Sequence, residues 1–525
     1  MGSQQITMNA AAMQVTLQAA EWLRTHVPAD AQLTSDSRAI KPGDVFFAYP
    51  GLAADGRAYI PQALANGASA VLWEAEDFVW NPAWQCAHLP VQNLKQQCGW
   101  IADVHYQHPS NTLWNIGVTG TNGKTTCSQW IAQALSLLGK PCAVVGTLGI
   151  GFVGEAARPL HPTSNTTPDA LHLHRSLGQL RQQGAHALSM EVSSIGLDQG
   201  RVNGMHFDVA LFTNLTRDHL DYHHTFERYE AAKNILFDWP QLKHAVLNLD
   251  DPMGQRLATR LAHQGTATVG YQLGIQQHVA TNSLIRAHLV RAIPSGTAFT
   301  LQSDWGQIEL EVTLLGDFNL SNLLGVAGVL LVSGYALDQV AQILTQLQPP
   351  PGRMQRLGDA NDPMIIVDYA HTPDALQNVL QALQPVAEAR NGALIALFGC
   401  GGDRDPGKRP QMGDIATRMA DLVILTSDNP RNEDPKKILD DIYQGIQNEN
   451  VEAERDEPDQ PQVFIIENRA RAIEMAIAHA DPADVILIAG KGHEPYQEIS
   501  GIKYPFSDIE QARAALLKRA QGQDK

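Results

Sequence analysis

Short runs of apolar β-formers, each followed by a polar loop and a helical pattern, recur along most of this 525-residue chain. This alternation predicts an α/β fold with mostly parallel sheets, because a helix carries the chain back before each parallel strand. A first block holds the strands NIGVTG (115–120), ALSMEV (187–192), VALFTN (209–214) and AVLNLD (245–250), with antiparallel additions expected at about 280–313. A second block holds MIIVDY, ALIALFG, LVILT and DVILIAG, which predict a doubly wound sheet.

The tripeptide PPP at 349–351, followed by Gly352, separates the two blocks and is the strongest linker signal in the sequence. A chain of this length is too long for a single hydrophobic core. We therefore expect three domains: a smaller N-terminal α/β domain at 1–110, a central phosphate-loop domain at 111–348, and a C-terminal Rossmann-like domain at 349–525. The acidic segment 447–461 is expected to form an exposed loop.

The composition narrows the function classes. A net charge of −17 argues against binding to nucleic acids or to membrane surfaces in general, while leaving anionic ligands open. Five scattered cysteines without a CxxC pair suit a reducing compartment and give no sign of a zinc site. The first residues lack the pattern of a signal peptide, and no run of about 18 apolar residues occurs. We expect a cytoplasmic, multidomain enzyme.

The stretch GVTGTNGKTT (117–126) follows a predicted strand and opens a predicted helix. A glycine-rich loop in this position presents backbone N–H groups and the positive end of the helix dipole to phosphate. Lys124 would reach the β- and γ-phosphates of ATP, and the Thr125 hydroxyl would hold Mg²⁺. Val118 departs from the strict pattern, which has glycine there, so a simple glycine-rich turn is the alternative. The candidate ATP contacts are Gly120, Thr121, Asn122, Gly123, Lys124, Thr125 and Thr126.

Two further polar residues stand where neighbouring strands should end. Glu191 closes ALSMEV, and His219 lies in the loop after VALFTN. The carboxyl ends of parallel strands face one crevice, so both side chains are candidate Mg²⁺ ligands beside the phosphate loop. A lone histidine is weak evidence, because Mg²⁺ prefers oxygen ligands. Lys233, in YEAAK, has the sequence context of an ordinary surface lysine that snorkels to solvent.

The stretch SDNPRNED (427–434) follows the apolar run LVILT and places one arginine among acids. A solvated surface turn is the simple interpretation, since Asn-Pro favours turns. The loops GCGGDRD (399–405) and AGKGHE (489–494) also follow predicted strands, so the three loops should meet at one edge of the sheet. The candidate ligand-binding residues there are Arg404, Asp428, Asn429, Pro430, Arg431, Gly490 and Glu494.

Several motifs together resemble those of the Mur ligases, the ATP-dependent amino-acid-adding enzymes of peptidoglycan precursor synthesis. They are TGTNGKTT, EVSS, TNLTRDHLDYH, YEAAK, GDFNLSN, GRM and VDYAHTP, in the order and spacing of that family, and the resemblance runs from about 33 to 510. Val118 is the family's own form of the phosphate loop. Within the family, SDSR with GDVFFA near the N-terminus, and DNPR near the C-terminus, resemble the members that add diaminopimelate.

The resemblance implies an ADP-forming ligase that joins meso-2,6-diaminopimelate to the D-glutamyl γ-carboxylate of UDP-N-acetylmuramoyl-L-alanyl-D-glutamate through an acyl phosphate. It implies catalytic roles for Lys124, Glu191, His219 and Lys233, with a CO₂-derived carbamate on Lys233. Mg²⁺ would be held by Thr125, Glu191, His219 and carboxylated Lys233. The ATP site would be completed by Asn319, Asn322, Arg353, Asp368 and His371. The UDP-linked substrate would contact Ser35, Ser37, Leu52, Ala53, Ala54, Asn165, Thr166, Thr167, Ser193, Gln199 and Arg201. The implied partners are these small molecules, with no nucleic acid and no membrane, and the chain is expected to be a monomer.

Under this resemblance Arg431 gains a specific role. The distal end of meso-diaminopimelate carries a carboxylate and an ammonium group, and a guanidinium binds a carboxylate through two parallel hydrogen bonds. Lysine lacks that carboxylate, so choosing lysine would leave the arginine without its partner. Two alternatives stay open: a folylpolyglutamate synthetase-like ligase, which shares the phosphate loop, and a nucleotide-binding regulator without chemistry.

Overall fold

The computed structural model describes residues 10–51, 54–154, 160–163, 165–274, 281–293, 296–359, 361–447 and 462–523. Three separate α/β layers, each built on its own sheet, follow one another along the chain. This succession agrees with the three predicted domains, while the boundaries at 110 and 348 stay predictions. Within the described residues no helix combines the length and apolar character needed to cross a membrane.

The N-terminal sheet has four parallel strands in the order β1-β2-β3-β4. Their bounds are β1 Leu33–Thr34, β2 Val45–Ala48, β3 Ala70–Glu74 and β4 Ala87–Val91, and the helices are α1 Ala10–His26, α2 Ile60–Ala65 and α3 Leu94–His105. Two clusters of buried apolar side chains cover the two faces of this sheet. The strands are therefore nearly continuous apolar runs, as a sheet buried on both faces requires.

The central sheet has ten strands among the described residues. The strands are β5 Trp114–Thr119, β6 Cys142–Gly146, β7 Gly149–Phe152, β8 Ala187–Glu191, β9 Val209–Phe212, β10 His244–Asn248, β11 Ala267–Leu273, β12 Ser283–Ile293, β13 Gly296–Ser303 and β14 Gly306–Val312. The helices are α4 Lys124–Leu137, α5 Ala170–Gln182, α6 Ser194–Asp198, α7 Leu220–His223, α8 Phe226–Asn234, α9 Pro252–Gln264, α10 Asp317–Val332 and α11 Leu337–Leu344. The spatial order is β14-β13-β12-β11-β10-β9-β5-β8-β6-β7.

Strand β5 lies between β9 and β8, and all three are parallel. The loop after β5, the end of β8 and the loop after β9 therefore open on one crevice, as predicted. The antiparallel pairing of β12, β13 and β14 is confirmed as well. The sequence analysis missed β6, β7 and β11. Helix α4, which follows the phosphate loop, is buried nearly all round from Thr125 to Leu135.

The C-terminal sheet has six strands among the described residues, in the order β15-β16-β20-β17-β18-β19. The strands are β15 Gln355–Leu357, β16 Met364–Asp368, β17 Leu394–Phe398, β18 Leu422–Leu425, β19 Gln462–Ile465 and β20 Val485–Ala489, and the helices are α12 Pro373–Arg390, α13 Lys408–Met419, α14 Pro435–Gln447, α15 Arg469–His479 and α16 Asp508–Gln523. A hairpin of β21 Tyr496–Ile499 and β22 Ile502–Pro505 follows β20.

The four predicted strands of this layer are confirmed as β16, β17, β18 and β20, whereas β15 and β19 were missed. Helices cover both faces of the sheet, in keeping with a doubly wound arrangement. Because β20, β17 and β18 are adjacent, the three loops that follow them lie side by side at one edge. The expected exposed loop at 447–461 lies, but for its first residue, outside the described residues.

Candidate active site

The phosphate loop joins β5 to α4 and takes its shape from two glycines in left-handed or extended positive-φ geometry. Gly120 has φ 150° and Gly123 has φ 84°. A Cβ at Gly120 would collide with the Thr213 hydroxyl, and one at Gly123 with the Asn322 amide, so no larger residue fits. Gly123 precedes α4 without a side-chain cap, which leaves the first N–H groups of the helix facing the loop. Such free N–H groups form an anion site.

Two lysine side chains meet at this loop. Lys124 Nζ donates to the carbonyls of Gly120 (2.9 Å) and Thr121 (2.7 Å), and Lys233 Nζ donates to the same Gly120 carbonyl (2.8 Å). Lys233 is buried, which makes its interpretation as a surface lysine wrong. Its helix, α8, packs beneath the loop, and Nζ lies 4.4 Å from the centre of the Tyr229 ring. Burial, followed by the nearby Lys124 charge, lowers the pKa of Lys233 well below its ordinary value. Burial also lowers the pKa of Lys124.

Glu191, at the end of β8, is buried, and its carboxylate accepts three hydrogen bonds. The Thr125 hydroxyl donates to its Oε2 (2.9 Å), and Thr147 donates through its backbone N–H to Oε1 (2.8 Å) and through its hydroxyl to Oε2 (3.1 Å). The carboxylate is thereby fixed against the first turn of α4. The structure thus places Glu191 against Thr125, two of the residues expected to hold Mg²⁺, and Thr147 is a contact that the sequence analysis missed.

His219 lies in the loop after β9 with φ 53°, and its Nε2 is 3.5 Å from the neighbouring Asp218 carboxylate. Burial lowers the pKa of His219, so the neutral imidazole is favoured. The described residues contain no group of three His, Cys, Asp or Glu side chains arranged around a common metal position. The oxygen donors present are Thr125 and Glu191. They suit Mg²⁺, which accepts few protein ligands and completes its shell with phosphate and water oxygens.

A cleft with a volume of about 200 Å³ lies between the phosphate loop and the C-terminal layer. Its lining includes the expected Asn319, Asn322, Arg353, Asp368 and His371, together with residues that the sequence analysis missed: Asn214, Tyr369 and Asp374. The two layers already touch, because Asn122 donates to Asp374 (3.0 Å) and Arg353 Nη2 donates to the Thr125 hydroxyl (3.2 Å).

The C-terminal residues of this cleft are held firmly. Asp368 accepts from the backbone N–H of Met354 (2.7 Å), and burial raises its pKa. The Arg353 guanidinium lies over the Tyr369 ring at 4.5 Å. His371 bonds through Nδ1 to the Tyr369 carbonyl (2.8 Å), and burial lowers its pKa to about 4. His371 is therefore a neutral hydrogen-bonding group at neutral pH.

The residues expected to hold the UDP-linked substrate fall into two groups. Beside Glu191, the Thr167 hydroxyl bonds to Ser193 Oγ (3.0 Å), and Arg201 donates to Gln199 Oε1 and to the Thr167 carbonyl (2.9 Å). Thr166 bonds to Thr147 (3.0 Å), and the Asn165 carbonyl accepts from Thr163.

The second group belongs to the N-terminal layer. Ser37 is buried and donates to Gln62 (2.8 Å), and Ser35 is partly buried beside it. Ala54 is exposed, and its carbonyl accepts from Gly51 (2.8 Å). Leu52 and Ala53 lie outside the described residues.

The stretch SDNPRNED is more than a surface turn, because Asp428 and Asn429 are buried. Arg431 has left-handed backbone geometry (φ 51°). Its backbone forms two hydrogen bonds with the β21–β22 hairpin: the Arg431 N–H donates to the Glu498 carbonyl (3.0 Å), and the Ser500 N–H donates to the Arg431 carbonyl (2.6 Å). Its guanidinium donates from Nη1 to the Gly402 carbonyl (2.7 Å), and Nε lies 3.6 Å from the Glu498 carboxylate. These contacts leave Nη2 without a partner among the described residues.

Asp428, Asn429, Gly490 and Glu494 surround one position at the edge of the sheet. Asn429 donates to Glu494 (2.7 Å), and Gly490, at φ 113°, faces the Asp428 carboxylate. Pro430 joins Asn429 to Arg431 at this edge. Arg404 is exposed, and among the described residues its guanidinium donates a hydrogen bond to the Asp403 carbonyl alone (3.3 Å), so the structure does not bring it into this group.

A buried cation that sequence analysis missed ties two of these loops together. Arg409, on α13, donates to Glu433 (2.8 Å), to Asp441 (2.8 Å) and to the Gly401 carbonyl (3.3 Å). Glu433 also accepts from the Asp403 N–H. The acids that follow Arg431 thus anchor the loop through Arg409.

Comparisons with known proteins cover nearly the whole chain. Three family models match: "Mur ligase family, catalytic domain" at 31–106, "Mur ligase middle domain" at 118–330, and "Mur ligase, glutamate ligase domain" at 352–492. A curated relative from Janthinobacterium sp. (strain Marseille) is 50% identical over 502 residues, covering 95% of this chain and 96% of the relative. A second, from Pseudomonas aeruginosa, is 50% identical over 485 residues, covering 92% and 94%. Both are named UDP-N-acetylmuramoyl-L-alanyl-D-glutamate–2,6-diaminopimelate ligase.

Solved structures give the same picture. A structure with that same name is 38% identical, with a TM-score of 0.63 and coverage of 93% of this chain and 95% of the other. A MurF ligase from Thermotoga maritima in complex with ADP is 17% identical, with a TM-score of 0.63 and coverage of 94% and 99%. A Mycobacterium tuberculosis folylpolyglutamate synthase complexed with ADP and AMPPCP is 17% identical, with a TM-score of 0.58 and coverage of 79% and 93%. At 17% identity, the last two structures show only that the fold is shared.

Proposed function

The chain belongs to the Mur ligase family, and from that premise we infer that it is an ATP-dependent amide ligase of peptidoglycan synthesis. It adds 2,6-diaminopimelate to UDP-N-acetylmuramoyl-L-alanyl-D-glutamate, the reaction for which its 50%-identical relatives are named. The observation that carries this function is the pairing of two sites in one chain. One is a phosphate loop at which Lys124 meets the buried Lys233, and the other is an arginine-and-acid pocket at the edge of the C-terminal sheet.

The reaction proceeds in two steps. An oxygen of the D-glutamyl γ-carboxylate attacks the γ-phosphorus of ATP, ADP leaves, and an acyl phosphate forms. The free amine of meso-diaminopimelate then attacks the acyl carbon, phosphate leaves with the carbon–oxygen bond electrons, and the nitrogen loses a proton. Phosphoryl transfer depends on positioning and charge neutralisation more than on covalent catalysis. Lys124 and the free N–H groups of α4 supply that neutralisation from the protein.

Mg²⁺ fits the donor set at this loop. Thr125, Glu191, His219 and carboxylated Lys233 would hold it, and its charge would offset the negative charge that develops during phosphoryl transfer. Three hydrogen bonds from Thr125 and Thr147 fix the Glu191 carboxylate against the first turn of α4.

We propose a carbamate on Lys233 on physical grounds as well as by family resemblance. Carbamate formation requires a neutral amine, since only the lone pair of nitrogen can attack CO₂. Burial and the neighbouring Lys124 charge lower the pKa of Lys233 and so favour that neutral form. The carbamate would place a negative charge beside the Lys124 ammonium, so that each charge would have a partner of opposite sign.

The two remaining substrates occupy opposite sides of the phosphate loop. Ser35, Ser37 and the loop 52–54 contact the UDP moiety, while Asn165, Thr166, Thr167, Ser193, Gln199 and Arg201 hold the muramoyl dipeptide. Arg431, Asp428, Asn429 and Glu494, with Pro430 and Gly490 shaping the loops, hold diaminopimelate. Arg404 would join them only by swinging inward from its exposed position. We place the enzyme in the cytoplasm as a monomer, in keeping with its five free thiols.

The experiment that tests this function is phosphate release measured with each substrate omitted in turn. A diaminopimelate-adding ligase releases phosphate from ATP only when the UDP-linked dipeptide and diaminopimelate are both present. Release with a folate and glutamate would favour the folylpolyglutamate synthetase alternative. ATP binding without release under any combination would favour a nucleotide-binding regulator.

A further inference from the structure

A fully buried lysine lies inside the amino-acid pocket and was not among the residues expected there. Lys491 directly follows β20, between Gly490 and Gly492, and its side chain is 0% exposed. Gly492 is in left-handed geometry (φ 53°), and a Cβ there would press against Tyr369 and the Gly352 carbonyl. The backbone around Lys491 is therefore tightly constrained, and its side chain points into the group that surrounds the pocket.

The ammonium of Lys491 reaches three of the candidate diaminopimelate ligands. Nζ is 2.9 Å from Asn429 Oδ1, 3.0 Å from Glu494 Oε2 and 3.5 Å from Asp428 Oδ1. An ammonium has three donors, so all of them are directed at pocket residues. Asn429 is in turn fixed by the Glu498 N–H, which donates to Oδ1 (2.9 Å), and by its own bond to Glu494.

These contacts determine the charge that the pocket offers a ligand. Asp428 and Glu494 contribute two negative charges, and Lys491 cancels one of them. The remaining single negative charge matches one ammonium group, while the free Nη2 of Arg431 is available for one carboxylate. Without Lys491 the two acids would present a double negative charge, which would attract a bare ammonium and repel a neighbouring carboxylate.

We propose that Lys491 is a specificity-determining residue, because it limits the acidic charge of the pocket so that a zwitterionic distal end is preferred over a bare ammonium. The inference rests on the proposed function and deepens it. Lys491 acts through Asp428 and Glu494 and is a positioning residue. It adds to the role of Arg431, since the arginine attracts the carboxylate and Lys491 prevents the adjacent acids from repelling it.

Other charged and titratable groups face the same acids. Arg469 on α15, paired with Asp508 of α16 at 2.7 Å, is buried nearby, and Asp428 and Glu494 both raise its pKa. The remaining neighbours are Tyr369 after β16, Cys400 after β17, Tyr496 on β21, and the Arg431–Glu498 pair. Burial raises the pKa of Tyr369 and of Cys400, so both stay neutral at assay pH.

The test compares diaminopimelate with L-lysine as substrates for the full-length enzyme. We would measure kcat/KM for both in the wild type, Lys491→Met, Asp428→Asn and the double variant. Lys518→Met is the matched control, because Lys518 is exposed on α16 and its ion pair among the described residues is with Glu474 (2.7 Å). The melting temperature and the KM for ATP check that each variant is folded.

Lys491→Met should lower the ratio of kcat/KM for diaminopimelate to that for lysine by about tenfold or more, the usual scale for one charged contact. The double variant carries one negative charge again and should recover most of the ratio.

An unchanged ratio in Lys491→Met, or no recovery in the double variant, would overturn the proposal. If Lys491→Met does not fold, Asp428→Asn alone provides the test. In that variant Lys491 and Glu494 cancel each other's charge, so the ratio of kcat/KM for diaminopimelate to that for lysine should rise. An equal or lower ratio would contradict the proposal. A wild-type enzyme that does not ligate diaminopimelate would instead refute the proposed function.

Discussion

Replacing Arg431 by alanine tests the proposed recognition of the distal carboxylate. The guanidinium is engaged at Nη1 by the Gly402 carbonyl and weakly at Nε by Glu498, which leaves Nη2 without a partner in the part of the chain that the structure describes. A hydrogen bond to a charged group contributes about 1.5–3 kcal/mol. Losing it corresponds to an increase of about 10- to 150-fold in the KM for diaminopimelate.

The backbone does not complicate this substitution. Arg431 is in left-handed geometry, and alanine has the same steric cost there, so the difference between the variants reports the side chain. Because the guanidinium is charged, the lost bond to the Gly402 carbonyl should lower the free energy of unfolding by about 1.5–3 kcal/mol. Arg431→Lys should recover part of the affinity, because an ammonium cannot reproduce the planar fork of a guanidinium.

The assay is steady-state phosphate release with diaminopimelate, lysine or ATP as the varied substrate. We expect the KM for ATP to stay nearly unchanged, and lysine, already a poor substrate, to lose little further. Arg418→Ala, which removes an exposed arginine paired with Asp414 on α13, is the matched control. An equal loss for lysine and diaminopimelate would show that Arg431 shapes the loop without binding the carboxylate.

Three further predictions concern the phosphate-loop cleft. Lys233→Ala should abolish ligation while the protein stays folded, and millimolar formate or acetate should restore part of the rate by replacing the carbamate oxygens; near-normal kcat without additive would refute the carbamate. Lys124→Ala should lose most activity, since removing one charge contact to the transferring phosphoryl group costs about 3–4 kcal/mol of transition-state stabilisation; undiminished turnover would exclude that contact. His371→Gln should make the free energy of unfolding less sensitive to acid. Burial lowers the pKa of His371 to about 4, so the native protein loses stability as the pH falls below about 6.5, by up to about 3 kcal/mol at pH 4. An unchanged dependence of stability on pH in the variant would contradict this.

The crevice beside the phosphate loop could be predicted from sequence because it follows from strand order alone. Parallel neighbours bring their carboxyl ends together, so Glu191 had to lie near the loop once β8 was placed beside β5. The same argument located the three C-terminal loops at one edge. In the structure the Thr125 hydroxyl donates a hydrogen bond to the Glu191 carboxylate.

Burial of single polar residues could not be predicted in the same way. Lys233 lies on a mostly polar helix, and it is buried only because α8 packs under the phosphate loop. Lys491 stands between two glycines, which suggest an exposed turn. It is nevertheless buried against Asp428 and Asn429, which lie in the loop after β18. Arg409 and Glu433 are separated by one helix and one strand, so no local pattern links them. Such contacts depend on tertiary packing.

The central claim is that ATP activates the D-glutamyl carboxylate as an acyl phosphate before the amine attacks. The most direct test is to supply the UDP-linked dipeptide with ¹⁸O in its γ-carboxylate and to analyse the released phosphate and the peptide product by mass spectrometry. Our account predicts that each turnover transfers one ¹⁸O atom to phosphate and leaves the other in the new amide. Phosphate without ¹⁸O, formed while the amide product accumulates, would contradict it.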